Sequence, residues 1–293
     1  MGKVYNGIMG LVVGDALGVP VEFNKRDTFK IGIMVGYGTY NQKPGTWSDD
    51  SSMTLATLES LVRNNGMIDT EDIMQNFYRW LFKCEFTPYN DVFDVGGTTR
   101  MAINRYARGY SLDKCGGDGI MDNGNGSLMR ILPLAFVLHS KDDIHAVSAL
   151  THKHSISKFA CELYISIADN LIKGLDKQVA VDMAVAGIGG VPTEFERFEN
   201  HIERLNRNEI KSTGYVVDTL EAAVWCLLTT ASYKDCVLTA VNLGGDTDTI
   251  AAVAGGLAGI YYGMNRQKGI PRRWINEIPR RAWIRELCEK LES

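Results

Sequence analysis

The run SDDSSMTLATLESLVR, residues 48–63, decides the fold class. Met53, Leu55, Leu58, Leu61 and Val62 recur at spacings that place them on one helical face, and Ser48 with Asp49 and Asp50 stands where a helix start needs oxygen acceptors. Leu220, Ala223, Val224, Leu227 and Leu228 repeat the pattern. Segments 67–83, 97–108, 142–150, 157–173, 176–187, 194–207, 233–243 and 271–291 also read as helices, while strand-like alternation is scarce. The expectation is an all-α protein without a central sheet.

Working outward, 293 residues would suggest about two domains on length alone. No repeat, low-complexity tract or Pro/Ser-rich linker marks a boundary, so a single domain over 1–293 is expected. Hydrophobic residues make up 45% and charged residues 23%, enough for a large core. A net charge of −4 argues against binding nucleic acid through its phosphates. The one basic cluster, at 266–285 with Arg272, Arg273, Arg280 and Arg281, reads as a solvated helical surface.

Six cysteines, Cys84, Cys115, Cys161, Cys226, Cys236 and Cys288, show no metal-finger spacing and read as reduced core residues. The N-terminus has no secretory pattern, because Asp15 interrupts its apolar run. The apolar stretch Ile250–Met264 is too short to span a bilayer and reads as a buried core helix. A cytoplasmic, membrane-free and monomeric protein is the expectation.

Five polar, glycine-rich stretches interrupt the helical pattern and are read as loops: Gly14–Gly18, Gly45–Ser52, Asp94–Thr99, Asn123–Arg130 and Gly244–Thr249. A site is sought there. Two of them are acidic clusters with hydroxyls, Ser48-Asp49-Asp50-Ser51 and Asp246-Thr247-Asp248-Thr249. Either alone could simply cap a helix. A cap needs one acceptor, however, and crowded carboxylates repel unless a cation neutralises them. Oxygen ligands without Cys or His suit Mg²⁺ or Mn²⁺ better than Zn²⁺. Gly244 and Gly245 permit the irregular turn that convergence of Asp246 and Asp248 requires.

These clusters resemble those of the ADP-ribosylglycohydrolase family, and the ordered set of motifs covers nearly the whole chain. It comprises Gly14-Asp15-Ala16-Leu17-Gly18 with Glu22, the Ser48 cluster, Asp94-Val95-Gly96, Gly124-Asn125-Gly126-Ser127 with Met129-Arg130, Thr151-His152, Gly214 to Thr219, and Gly244 to Thr249. Each motif is weak alone; the ordered set is specific.

The resemblance implies a compact, orthogonally packed all-α domain that removes ADP-ribose from a modified acceptor. It makes Ser48, Asp49, Asp50, Asp246, Asp248 and Thr249 ligands of two divalent cations, Mg²⁺ or Mn²⁺, with Ser at 48 and 51 where relatives usually carry Thr. Glu22, Asp94 and Asp49 become the candidate catalytic residues. Asn123, Gly124, Asn125, Gly126 and Ser127 would cradle a diphosphate, His152 would contact it, and Tyr215 would stack on the adenosine. The implied substrate is an ADP-ribosylated protein, most plainly at arginine, or a small ADP-ribosyl compound. Rival readings are another ADP-ribosyl linkage (serine, a nucleic-acid base, O-acetyl-ADP-ribose) and a non-catalytic relative that binds ADP-ribose or serves structurally.

Overall fold

The computed structural model describes residues 2–293. Its α-helices are α1 (Lys3–Gly18), α2 (Asp49–Arg63), α3 (Thr70–Lys83), α4 (Gly97–Ala107), α5 (Lys141–Ala149), α6 (Ser155–Ile172), α7 (Lys177–Gly187), α8 (Glu196–Glu199), α9 (Val216–Thr229), α10 (Tyr233–Val241), α11 (Thr247–Tyr262), α12 (Arg272–Glu277) and α13 (Arg281–Glu292). Among the described residues no strand forms. Two isolated bridges, Gly117 with His152 and Gly124 with Tyr215, are the extended pairings present there. The all-α expectation holds.

The centre is the pair α1 and α11, packed backbone to backbone. A Cβ on Gly10 would lie 2.4 Å from the Gly255 carbonyl oxygen, one on Gly14 2.0 Å from that of Ala251, and one on Gly18 2.3 Å from Asp248 Cα. From the other side, a Cβ on Gly259 would lie 2.2 Å from the Asn6 carbonyl oxygen. Early residues of α1 thus face late residues of α11, and the helices run antiparallel. Interior glycines cost a helix up to about 1 kcal/mol each relative to alanine, and the close approach is what they make possible. Tyr233 and Tyr164 fasten the pair by donating to the carbonyls of Gly10 (2.6 Å) and Val253 (3.0 Å).

Around this pair, α9 and α10 lie against α11, α6 and α2 cover further faces, and α13 closes onto α1. The span Lys3–Val21 is long and apolar enough to cross a membrane, yet all of it except Lys3 and Asn6 is buried in the protein. Five of the six cysteines are buried, Cys84 is partly buried, and all are free.

Three local expectations need correction. Gly14–Gly18 is not a loop but the last turn of α1, because its glycines serve contact with α11. Segment 271–291 is two helices: Pro279 offers no N–H, Ile278 before it is extended at ψ 122°, and Arg280 turns left-handed at φ 48°. Segment 194–207 is likewise broken, into the single turn α8 and two flanking 3₁₀ turns, with His201 at φ 61°. Arg280 of the basic cluster lies over the Trp283 ring at 4.0 Å and donates to the Thr87 carbonyl oxygen at 2.8 Å.

Candidate active site

Antiparallel packing of α1 and α11 brings the end of one helix to the start of the other, and the N-terminus of α2 meets them there. Asp15, fully buried on α1, accepts from the backbone N–H of Ser48 (3.0 Å) and Ser51 (3.0 Å) and from the Ser51 hydroxyl (2.5 Å). It therefore anchors the first turn of α2 from outside, while Ser48 caps it locally by accepting from Asp50 N–H at 3.3 Å. Asp15 was visible in the sequence as part of a motif, but no sequence signal gave it this role. Burial pushes its carboxyl up to about 6, against the lowering effect of its Ser51 and Ser48 hydrogen bonds.

The two acidic clusters converge. One ligand oxygen each from Asp15, Asp50 and Asp248 lie within 4.8 Å of one another, and so do oxygens from Glu22, Asp94 and Asp248. Asp248, fully buried at the start of α11, belongs to both groups. The turn that delivers it uses Gly244 at φ 74° and Gly245 at φ 73°. A side chain at Gly245 would also strike the Ser212 carbonyl oxygen at 2.0 Å. Asp246 leads into α11 and accepts from the Asn125 amide at 2.8 Å, which ties this cluster to the loop at 123–127. Asp49 and Thr249 face the same cavity.

Glu22 follows the 3₁₀ turn Val19–Val21 and is 4% exposed. Burial first, then the charges of Asp94 and Asp246, push it up to about 9. Asp94, in left-handed backbone at φ 54°, accepts from the Tyr40 hydroxyl at 2.6 Å. Tyr40 is a site residue that sequence reading missed, since a tyrosine in a loop carries no distinguishing pattern. Burial is also the leading cause that raises Asp49, Asp50 and Asp248 well above the ordinary carboxylate range, with mutual repulsion adding to it. Asp246 is raised by burial too, opposed by its Asn125 hydrogen bond.

Glu22, Asp49, Asp94, Asp246 and Thr249 line a cavity of about 250 Å³ together with Gly96 to Thr99, Gly124, Asn125, Gly126, Met129, His152 and Gly214, whereas Ser48, Asp50 and Asp248 are buried outside its lining. Gly126 is held close, since a Cβ there would lie 2.8 Å from both His152 Cε1 and Thr99 Oγ1. His152 is 2% exposed, and burial followed by the Arg130 charge lowers it to about 3, so its ring is neutral at physiological pH.

Not every expected residue reaches the cavity. Asn123 donates to Ile120 and accepts from Ser157, and Ser127 accepts from Ser148 and Cys161, so both side chains are committed behind the loop. Tyr215 is half-buried at the start of α9 and sits beside the cavity through its bridge to Gly124; its neighbour Gly214 is the lining residue. His154 caps α6 by accepting from Ile156 N–H.

The donor set fits hard cations. Both carboxylate oxygens of Asp50, Oδ1 of Asp246, Oδ2 of Asp248 and Oε2 of Glu22 are buried without a hydrogen-bond partner. Among the described residues no Lys, Arg or His forms an ion pair with any of them, and an unsatisfied buried carboxylate is costly. Protons or cations must relieve the crowd, and an all-oxygen set selects Mg²⁺-like ions.

The comparisons agree with this geometry. The family model described as ADP-ribosylglycohydrolase matches residues 1–293. The chain is 32% identical to the ADP-ribosylarginine hydrolase Tri1 of Serratia proteamaculans over 99% of its own length and 78% of that protein. It is 33% identical to the ADP-ribosyl-dinitrogen reductase glycohydrolase of Rhodospirillum rubrum, over 94% of this chain and 90% of that one. A solved ADP-ribosylglycohydrolase-related protein complex superimposes with a TM-score of 0.84 at 30% identity, covering 99% of this chain and 96% of that one. With the ordered motifs converged at one cavity, the chain belongs to the ADP-ribosylglycohydrolase family.

Proposed function

We propose that this hydrolase releases ADP-ribose from ADP-ribosylated arginine on protein by cleaving the N-glycosidic bond, with two divalent cations, Mg²⁺ or Mn²⁺, in its acidic site. The observation that carries the reading is the convergence of buried, unpartnered carboxylate oxygens beside a cavity that a glycine-rich loop and a neutral histidine also line. The names of the relatives from Serratia and Rhodospirillum support the choice of linkage and of a protein acceptor.

Ser48, Asp49, Asp50, Asp246, Asp248 and Thr249 would hold the cations, which supply Lewis acidity toward ribose hydroxyls and a more acidic water. Asn125 holds Asp246 in register with the loop, and Asp15 holds the α2 turn that presents Asp49 and Asp50. Gly124, Asn125 and Gly126 leave room for diphosphate oxygens at the loop, with His152 beside them as a neutral donor. At the anomeric carbon the C–N bond breaks with oxocarbenium character, a water oxygen adds, and the departing nitrogen takes a proton. Glu22, buried beside Asp94 in the cavity, would give that proton, and Asp94, oriented by Tyr40, would receive the one water loses.

The test is product analysis with an ADP-ribosyl-arginine peptide, an ADP-ribosyl-serine peptide and O-acetyl-ADP-ribose supplied in parallel. The arginine linkage should be cleaved with the highest kcat/KM. Preference for either oxygen-linked substrate would reassign the acceptor, and no ADP-ribose from any of the three would remove the catalytic reading.

A further inference from the structure

Behind the diphosphate-facing loop lies a cation without a counter-ion. Arg130 is 0% exposed, and its guanidinium carbon sits 4.6 Å from the centre of the Phe77 ring. Its Nη2 donates to the Val147 carbonyl oxygen (3.1 Å) and the Thr151 hydroxyl (2.8 Å), whereas Nε and Nη1 have no partner. A buried, unpaired guanidinium is expensive, and its contacts show what the fold gains from it.

Thr151 Oγ1 accepts from Arg130 and so has its own proton to give. His152 Nδ1, 2.8 Å away, is the partner that can take it. With Nδ1 an acceptor, the proton of the neutral ring resides on Nε2. Nε2 is the nitrogen nearer the loop, 3.6 Å from where a Cβ on Gly124 would stand and 3.4 Å from one on Gly126.

We propose that Arg130 is a positioning residue: through Thr151 it locks His152 in the Nε2–H tautomer, so that a neutral N–H donor faces an anionic diphosphate on the loop 124–126. The ligand half of this inference rests on the proposed function; the tautomer half does not. Burial and the Arg130 charge, which together keep the ring neutral, act in the same direction. The charge of Arg130, uncompensated by the protein, also favours an anion in front of it.

The test uses the full chain with ¹⁵N-labelled histidine, ligand-free, the His152 resonances being assigned by their loss in His152→Asn. Wild type should show a pyridine-like Nδ1 and a protonated Nε2. Arg130→Met should let Thr151 accept instead and bring up a protonated Nδ1. Should that variant not fold, Thr151→Val and Thr151→Ser decide: the valine should move the Nδ1 resonance downfield, as for an acceptor that has lost its donor, and weaken ADP-ribose binding about tenfold by calorimetry. The serine should keep both near wild type. A protonated Nδ1 in wild type, or unchanged resonances and affinity in Thr151→Val, would overturn the proposal. If ADP-ribose does not bind wild type, the functional reading falls, while the ligand-free spectra still decide the tautomer.

Discussion

Glu22 and Asp94 are two carboxyl groups in one cavity that differ in what surrounds them. Glu22 is buried with Oε2 unpartnered and is held near 9, while Asp94 is half-buried and takes a hydrogen bond from Tyr40. Substituting Glu22→Gln keeps the shape and removes the transferable proton. Turnover should fall at least about 100-fold, the usual effect of losing a general acid or base, with ADP-ribose affinity preserved. Single-turnover rates beside calorimetry measure both, and wild-type turnover would exclude Glu22 from the chemistry. At this scale the sequence showed which residue types to expect but not which way they turn. Asn123 and Ser127 belong to the expected diphosphate cradle yet are committed behind the loop, and Asp15 and Tyr40 act through contacts with residues 33 and 54 positions away, which no local pattern encodes.

Elements carry the site through one geometric fact, the close antiparallel approach of α1 and α11. Gly14→Ala tests it. In an isolated helix alanine would add up to about 1 kcal/mol of stability, but here the new Cβ would meet the Ala251 carbonyl 2.0 Å away, and backbone cannot move aside as a side chain can. A net loss of about 2 kcal/mol or more is expected in urea denaturation, together with weaker cation binding, since Asp15 and Asp248 ride on these two helices. Unchanged stability would mean the pair is not the keel of the fold. Helical identity was legible in α2, α9 and α11 because their apolar residues repeat on one face or fill the whole surface. Where that pattern ran on, it hid breaks set by single residues: Pro279 and the left-handed Arg280 and His201 divide segments that periodicity alone joins. The N-terminal glycines misled in the other direction, because glycine in sequence signals a turn and only packing shows it as contact surface.

For the molecule as a whole, the acidic centre makes stability depend on pH in an uncommon direction. Glu22 is raised from 4.5 to about 9 and Asp15 from 3.8 to about 6, so between those values the metal-free native state keeps protons that the unfolded chain releases. The native state binding more protons means stability falls as pH rises, from above the ordinary carboxylate range until about 9. His152, lowered from 6.5 to about 3, works oppositely but only below 6.5. In chelator, the melting temperature should therefore decline from pH 6.5 to 9, and Mg²⁺ or Mn²⁺ should flatten the decline. A flat profile in chelator would show that the carboxyl groups are not crowded in solution. The central claim is that a hard divalent cation, shared by the two acidic clusters through Asp248, is required for hydrolysis. The measurement that reaches it most directly is ADP-ribose release from an ADP-ribosyl-arginine peptide by chelated protein, before and after Mg²⁺, Mn²⁺ or Zn²⁺ is returned, beside Asp248→Ala with its bound metal counted. The account predicts no release in chelator, recovery with Mg²⁺ or Mn²⁺ above that with Zn²⁺, and a folded Asp248→Ala with reduced metal and little activity; full release by thoroughly metal-free protein would contradict it.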